Sequence, residues 1–272
     1  IPSASIMSDI YVDIRLNGDR EQYRIDGRVL QPMHQIGRRI LWIERDRHHW
    51  EESLRSHPES DAVQLDLDLS LNGEGSVEGT LDIGWAGAWN PGADARENTD
   101  KWVSSVISTY VSKPEVTGMN IHSLSPGSGI TRIRVTFKGT LVPEPLTGHL
   151  KTLGLPPCPG GLATDAYRLP AKDTREKPLV LDRCGRQEET IRLTWPDTLE
   201  PAWAPDPVML EGETCRFRRE LSIENHTLTF HRLVELERRI IPVEEYDTFV
   251  RIHQLLTLDE DNVIILKEAE TR

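Results

Sequence analysis

Residues 63–83, VQLDLDLSLNGEGSVEGTLDI, have the clearest secondary-structure pattern in the chain. Over residues 63–71 apolar side chains occupy every second position, and polar or acidic ones fill the positions between them. This period of two predicts a strand with one buried face and one solvated face. Residues 72–75, Asn-Gly-Glu-Gly, form a turn sequence, and apolar positions resume over 77–83. The stretch therefore predicts an antiparallel hairpin.

Similar alternation lies on both sides of this hairpin. Residues 10–25 alternate around Asn17-Gly18, and Asn-Gly between two such runs is the strongest short indication of a hairpin turn. Residues 215–223 and 228–236 flank the turn sequence Glu224-Asn225-His226. These patterns therefore predict β-hairpins over much of the chain.

Two segments have helical spacing instead. The capping sequence at residues 98–100 precedes apolar residues that recur at helical intervals, which predicts a helix over 99–111. Pro242 followed by two glutamates suits a helix N-terminus, and an apolar stripe over 246–256 continues it. We expect a mainly β fold of the α+β class, with antiparallel β-sandwich-like sheets and one or two packed helices.

Two stretches are predicted to mark boundaries: the polar residues 46–60 and the proline- and glycine-rich residues 142–176. They predict a hairpin region over 1–55, an antiparallel β domain with one helix over 56–145, and a β-sandwich-like part with a terminal helix over 146–272.

Charge and hydropathy exclude two classes of partner. The 272 residues include 32 basic and 44 acidic ones, for a net charge of −12. Nucleic-acid binding needs a basic stripe against the phosphates, so this balance argues against it. The longest apolar runs are about five residues, against the roughly 20 that a membrane-spanning helix needs.

Catalytic and metal-binding motifs are incomplete. The sequence has no CxxC, HExxH or GxSxG pattern, and we predict neither a metal nor a cofactor. Cys158, Cys184 and Cys215 are interpreted as three reduced, partly buried thiols, with a Cys184–Cys215 bridge as the alternative. Cys158 lies in a proline-rich segment without a helix N-terminus to lower its pKa, which disfavours a nucleophile.

Two groups of side chains in and near the hairpin at residues 63–83 have both a structural and a functional interpretation. The polar side of this hairpin carries four facing carboxylates, those of Asp66, Asp68, Glu78 and Asp82. They could act as acid and base, but carboxylates on a solvated sheet face are usually inert. Trp85 and Trp89 could form an aromatic platform for a sugar. Packing of these two rings in the core is the more common outcome.

Residues 178–266 carry a family resemblance. They contain Arg238-Arg239-Ile240-Ile241-Pro242-Val243-Glu244-Glu245-Tyr246 before the terminal helix. This region resembles the tail of bacterial multi-domain proteins in which β-rich domains of unknown function flank a transglutaminase-like core. The resemblance implies an exported, periplasmic protein.

The N-terminal hairpin resembles the end of such a core, where one strand carries a catalytic His and the next ends in a catalytic Asp. Asp26 matches the position of the Asp. The position of the His holds Asp9 or Ile10, and the family's catalytic Cys lies upstream of this chain. Because two members of the triad are missing, we expect no turnover from this chain alone.

These observations predict a non-catalytic β-rich accessory or interaction module of a transglutaminase-like bacterial protein. The expected partner is a protein or peptide, or the module's own upstream domain. One alternative is part of a cysteine-dependent amide hydrolase or acyltransferase whose Cys lies outside the chain. The second alternative is a carbohydrate-binding module that uses Trp85 and Trp89.

Overall fold

The computed structural model describes residues 11–16, 19–24, 39–43, 48–52, 61–72, 74–86, 89, 99–123, 130–143, 150–158, 161, 175–181, 184–257 and 262–269. For the first four of these ranges only the backbone is described. The chain divides into two compact units, Ile1–Arg55 and Ser56–Arg272. Asp26, the predicted triad position, lies outside the described residues.

The first unit contains two antiparallel hairpins. One pairs β1 (Tyr11–Leu16) with β2 (Asp19–Arg24), as the Asn-Gly turn sequence predicts. The other pairs β3 (Arg39–Ile43) with β4 (His48–Glu52). The polar stretch 46–60, predicted to mark a boundary, therefore begins with a strand that pairs with β3 along its whole length.

The second unit holds the remaining strands and both helices of the described chain. In chain order they are β5 (Ala62–Leu71), β6 (Ser76–Ala86), α1 (Thr99–Ile107), β7 (Ser112–Ser123), β8 (Ile130–Thr140), β9 (Val142–Pro143), β10 (Lys151–Gly154), β11 (Leu179–Val180), β12 (Gly185–Thr194), β13 (Leu199–Trp203), β14 (Val208–Glu211), β15 (Cys215–Glu224), β16 (Thr227–Leu236), β17 (Ile240–Ile241), a 3₁₀ turn (Val243–Glu245), α2 (Tyr246–Thr257) and β18 (Val263–Glu268).

An eight-stranded sheet forms the frame of this unit, in the order β14-β15-β16-β12-β5-β6-β8-β7. It consists of two antiparallel halves that meet in the parallel pair β5–β12. The prediction of a mainly β fold is confirmed, and this parallel pair makes the sheet mixed. The predicted segments 56–145 and 146–272 each contribute four strands to it, so the boundary predicted between them falls inside one compact unit.

Alternation along the strands places one face of this sheet in the core. Every second residue of β5 is almost fully buried, from Val63 to Leu71. A four-stranded antiparallel sheet, β13-β18-β10-β9, contributes Leu153, Ile264 and Leu266 to the same buried cluster. Burial of this apolar surface contributes most of the favourable free energy of folding.

Local turn chemistry explains the hairpins of the large sheet. Between β5 and β6 the Asn72 side chain accepts hydrogen bonds from the backbone N–H groups of Glu74 and Ser76, at 3.1 and 2.9 Å. Between β15 and β16, Asn225 and His226 both adopt positive φ, at 49° and 58°. This backbone matches the right-handed twist of the flanking strands, and the turn predicted there is confirmed.

The helices differ from prediction mainly at their ends. α1 stops at Ile107 rather than 111, where the Ser108 hydroxyl donates to the carbonyl oxygen of Ser104 at 2.5 Å. At the C-terminal helix, residues 243–245 form a 3₁₀ turn before α2 begins at Tyr246. Its predicted apolar stripe is buried, including Phe249 and Ile252.

Candidate functional site

Strand β7 forms one edge of the eight-stranded sheet and is the longest edge strand among the described residues. It has 12 residues and pairs only with β8 among the described strands. The opposite edge, β14, has only four residues. Short edges limit unwanted pairing, whereas a long edge presents a row of free backbone donors and acceptors.

The two halves of β7 differ. In the N-terminal half the register with β8 shifts twice, between Ser112 and Glu115 and between Val116 and Gly118. The same half contains Lys113, with φ of 51°, and Pro114, which has no N–H group to donate. Bulges, lysine and proline are common devices that protect a sheet edge. The C-terminal half, Gly118–Ser123, lacks these devices and pairs with β8 without interruption.

Apolar side chains line the core side of this edge. Val116, Met119 and Ile121 are 38–39% exposed. They lie opposite the buried β8 residues Phe137, Val135 and Ile133, respectively. Because paired residues of neighbouring strands point to the same face, the core face of the sheet extends under β7, where these three side chains remain partly uncovered.

The other face of the sheet is polar and carries ion pairs between neighbouring strands. Three of the four carboxylates predicted as possible acid and base take part in this ladder, and the fourth, Asp66, accepts a hydrogen bond from Gln64. The pairs include Arg132–Asp82 at 2.5 Å, Lys138–Glu78 at 2.7 Å and Arg192–Asp68 at 3.0 Å. Such exposed pairs each contribute about 0–1 kcal/mol, so their main effect is on the charge pattern of the face.

Next to β7, this charge pattern is basic. Strand β8 presents Arg132, Arg134, Thr136 and Lys138 on its polar face. Arg132 and Lys138 are paired with carboxylates of β6, as described. Arg134 is exposed and lies between Asn120 of β7 and Asp82 of β6, whose carboxylate pairs with Arg132. Arg134 itself has no ion-pair or hydrogen-bond partner within the described part of the chain.

Protonation on this face follows from the pairs. The hydrogen bond from Lys138 lowers the pKa of Glu78 and, in return, raises the pKa of Lys138. The hydrogen bond to Asp82 raises the pKa of Arg132. Burial raises the pKa of Asp66, although Arg192 opposes this shift. Because the pKa of Glu78 is lowered and that of Lys138 is raised, this pair remains charged at neutral pH.

Two shallow depressions lie on the polar face near β7. One, of about 620 Å³, is lined by residues that include Lys113, Glu115 and Thr140. The other, of about 460 Å³, includes Thr117 and Thr136. Neither brings a nucleophile together with a histidine base, so neither has the arrangement needed for acyl transfer.

A second polar cluster lies inside the core. Arg232 of β16 and Glu189 of β12 face each other and are both fully buried. The guanidinium donates to both Glu189 oxygens, with Nε–Oε1 at 3.2 Å and Nη2–Oε2 at 2.6 Å. It also donates to Asn262 Oδ1 at 2.7 Å and to the carbonyl oxygen of Pro156 at 2.7 Å. These contacts tie the large sheet to the segments that flank β10 and β18.

The buried cluster is satisfied by the protein itself. Gln187 donates to Glu189 Oε1 at 2.5 Å, and the backbone N–H of Cys158 donates to the same oxygen at 3.3 Å. Asn262 donates to the carbonyl oxygen of Leu255 at 3.1 Å. Because the carboxylate and the guanidinium are engaged in internal bonds, this arrangement is typical of a structural network rather than a reaction centre.

None of the three cysteines forms a disulfide, and all three are buried. Burial raises the pKa of the Cys158 thiol well above its ordinary value, and the nearby Glu189 carboxylate adds to the shift. Burial likewise raises the pKa of Cys215 to about 11. A reactive cysteine needs an accessible thiolate, whereas the Cys158 and Cys215 thiols are buried and remain neutral at physiological pH.

The sequence motif at residues 238–246 has a structural role. Glu245 accepts hydrogen bonds from the backbone N–H groups of Glu213 and Thr214, at 3.1 and 2.9 Å, and from the Thr214 hydroxyl at 2.6 Å. Burial alone would raise the pKa of Glu245, but these hydrogen bonds lower it overall. The carboxylate thereby fastens the β14–β15 turn to the start of α2, and the next residue, Tyr246, is buried.

Both tryptophans considered for sugar binding are buried, with Trp85 3% and Trp89 2% exposed. Trp85 makes an edge-to-face contact with Trp102, with ring centroids 5.2 Å apart. Trp89 donates from Nε1 to the carbonyl oxygen of Cys184 at 3.0 Å. Stacking on a sugar requires an exposed ring face, which neither residue offers here.

Sequence reasoning missed the features that the structure brings together. Val116, Met119 and Ile121 indicated a short strand, but nothing in the sequence placed that strand at the sheet edge. Arg232 and Glu189 lie 43 positions apart and were not singled out. The sequence contained one indication of this pair, namely a charged residue at an inward position of an alternating strand. Such residues are rarely buried unless they are paired.

The described residues contain neither a cluster of metal-binding side chains nor a membrane-spanning helix. No group of three or more His, Cys, Asp or Glu side chains is placed to hold a metal ion there. Neither helix of that part of the chain has the length and hydrophobicity needed to cross a membrane.

Comparison with known families identifies the C-terminal region. Residues 151–266 match the model of a domain of unknown function with a solved structure (DUF3858). The matched range contains the segment 178–266, so the prediction that this region is a domain of unknown function is confirmed. The transglutaminase-like core remains a prediction. No curated protein matches the chain.

Solved structures give distant matches. A candidate protease from Parabacteroides distasonis aligns over 92% of this chain and 31% of its own, with 11% identity and a TM-score of 0.41. An M1 zinc metallopeptidase from Deinococcus radiodurans aligns over 76% of this chain and 42% of its own, with 13% identity and a TM-score of 0.27. The chain thus spans less than half the length of either protein, and similarity at this level carries no argument about activity.

Proposed function

We propose that this chain is a non-catalytic, β-rich accessory module of a transglutaminase-like bacterial protein, and that it binds an extended segment of a partner protein along strand β7. The observation that carries the proposal is a long strand that has no neighbour on its outer side among the described strands, together with partly uncovered apolar side chains on its core side. Adding a strand satisfies the edge's free backbone groups and covers Val116, Met119 and Ile121.

The regular half of the edge is the proposed docking segment. Gly118–Ser123 continues the ladder of β8 without a bulge, so an incoming strand meets evenly placed backbone groups. Backbone hydrogen bonds would supply affinity, and the apolar row would fix which face of the partner turns inward.

The test uses a ten-residue peptide that alternates valine and threonine, carries a fluorescent label, and is titrated with the protein. A copy whose central amides are N-methylated serves as control, because it keeps the side chains but cannot form the ladder. We expect a rise in anisotropy with the first peptide only. Equal binding of both peptides, or binding of neither, would contradict the proposal.

A protein variant locates the site. Met119→Lys places a charge in the apolar row and should weaken binding of the valine–threonine peptide. Ile223→Lys is the matched control, since Ile223 is also an exposed apolar residue, 43% accessible, but lies on β15. If both variants weaken binding equally, the peptide does not bind at β7.

A further inference from the structure

We infer that the segment bound at β7 alternates apolar and acidic side chains, with its carboxylates on the side of Arg134. This inference rests on the proposed edge-binding function and names the chemistry of the partner strand. It follows from the two faces of the same edge, which differ in polarity and charge.

The core face selects apolar side chains on the partner. An added strand would lie beside Met119 and Ile121, about 5 Å away. Its inward side chains would meet these residues and continue the row of Val135 and Ile133 on β8. A polar residue there would leave the row uncovered and lose its own hydration.

The polar face selects carboxylates. Arg134 is the exposed cation of β8 that lacks a partner in the described chain, and it lies opposite the short, neutral Asn120. Gly118 has no side chain, and the Thr136 hydroxyl lies where one would begin, 2.8 Å from the position of an added Cβ. An arginine side chain extends about 6 Å, and the added strand would lie roughly 10 Å from β8, so an acidic side chain on that strand comes within reach.

The sheet already uses this chemistry between its own strands. Arg132 of β8 pairs with Asp82 of β6, and Arg192 of β12 pairs with Asp68 of β5. Strand β5, with the sequence AVQLDLDLSL, itself has the proposed alternation of apolar and acidic side chains. The edge beside β8 is therefore suited to a strand of the same type.

Charge also argues against a second copy of this chain as the occupant. Pairing β7 with β7 of another copy would bring the Arg134 of both β8 strands, the cation of each row that lacks a carboxylate partner in the described chain, toward the same junction. Like charges at close range disfavour such a contact. The free chain should therefore be monomeric by sedimentation, and a concentration-dependent dimer lost in Met119→Lys would overturn the assignment of the edge to an acidic strand.

The central test compares three peptides of equal length that alternate valine with glutamate, threonine or lysine. The protein has a net charge of −12, so nonspecific attraction would favour the lysine peptide. We expect the glutamate peptide to bind most tightly and the lysine peptide least. Preference for lysine, or equal binding of all three, would overturn the inference. Equal binding leaves edge binding itself intact, whereas no binding of any peptide would remove both proposals.

Variants of the protein isolate the role of Arg134. Arg134→Gln should weaken the glutamate peptide by about two- to five-fold, the range of an exposed ion pair, and leave the threonine peptide unchanged. Arg216→Gln, at an exposed arginine of β15, is the matched control and should affect neither peptide. The preference should also shrink when salt is raised. Loss of affinity for both peptides in Arg134→Gln would indicate a structural effect and overturn the charge assignment.

Discussion

The buried pair Arg232–Glu189 gives the sharpest prediction about stability. Arg232→Met keeps much of the side-chain volume and removes the guanidinium. The change leaves the Glu189 carboxylate buried, at 0% exposure, without its cation, and it deprives Asn262 Oδ1 and the Pro156 carbonyl oxygen of a donor.

The magnitude follows from the burial of both groups. Removing one partner of a buried ion pair costs about 3–5 kcal/mol. Each acceptor that loses its hydrogen bond from the guanidinium adds to this cost, by up to about 1–3 kcal/mol. We therefore expect a loss of at least about 4 kcal/mol, which is a large share of the roughly 5–15 kcal/mol that holds a domain folded.

The assay is urea unfolding followed by tryptophan fluorescence and circular dichroism. With a slope of about 2 kcal/mol per molar urea, a loss of 4 kcal/mol lowers the unfolding midpoint by about 2 M. Arg216→Met is the control, because Arg216 is 49% exposed and should cost less than about 1 kcal/mol.

A second substitution tests the cause. In Arg232→Met the cost arises largely from the uncompensated carboxylate, so adding Glu189→Gln should recover about 1–2 kcal/mol. The same Glu189→Gln change in the native background should destabilise. If Arg232→Met costs under 1 kcal/mol, or if Glu189→Gln lowers the stability of both backgrounds equally, the pair is not the buried network described.

Three further predictions concern other contacts. Glu245→Gln should destabilise the protein by about 1–2 kcal/mol at pH 7, because it weakens the hydrogen bonds to the β14–β15 turn. The pKa of Glu245 in the folded protein is lowered from its ordinary value of 4.5, so the difference in stability, measured by urea titration, should shrink as the pH falls below 4.5. Gly185→Ala should lower the melting temperature by several degrees, since its Cβ would lie 2.1 Å from the Asp61 carbonyl oxygen, whereas Gly84→Ala has open space. Cys158 and Cys215 should react slowly with a thiol reagent at pH 8 and rapidly in urea; rapid labelling of the native protein would contradict their burial.

The strands that the sequence predicts best are those whose environment is one-sided. Over residues 62–71 each side chain's face follows from its own polarity, so the alternation is sufficient to identify β5 and its buried positions. The turn at Asn225-His226 is predicted for a similarly local reason. By contrast, β13 contains Pro201, β14 directly follows Pro207, and both strands bury few side chains, so their local sequence gives little indication of a strand.

The candidate site was less predictable because it depends on strand order. The sequence shows that residues 116–121 favour a strand, but not that this strand is the last of eight. Had another strand paired beyond β7, Met119 and Ile121 would be ordinary core residues. Similarly, the basic row of β8 becomes relevant to a partner only because β7, with Gly118 and Asn120, leaves it accessible.

The β-rich class, the main hairpins and the two helices were predictable from short windows of sequence, since they depend on periodicity and turn residues. The identity of the edge strands, the joining of two halves through the parallel pair β5–β12, and the contact of Arg232 with Glu189 became apparent only in the folded chain. The physical reason is that pairing between distant segments depends on the complementarity of whole surfaces, and one window of sequence contains only one of the two surfaces.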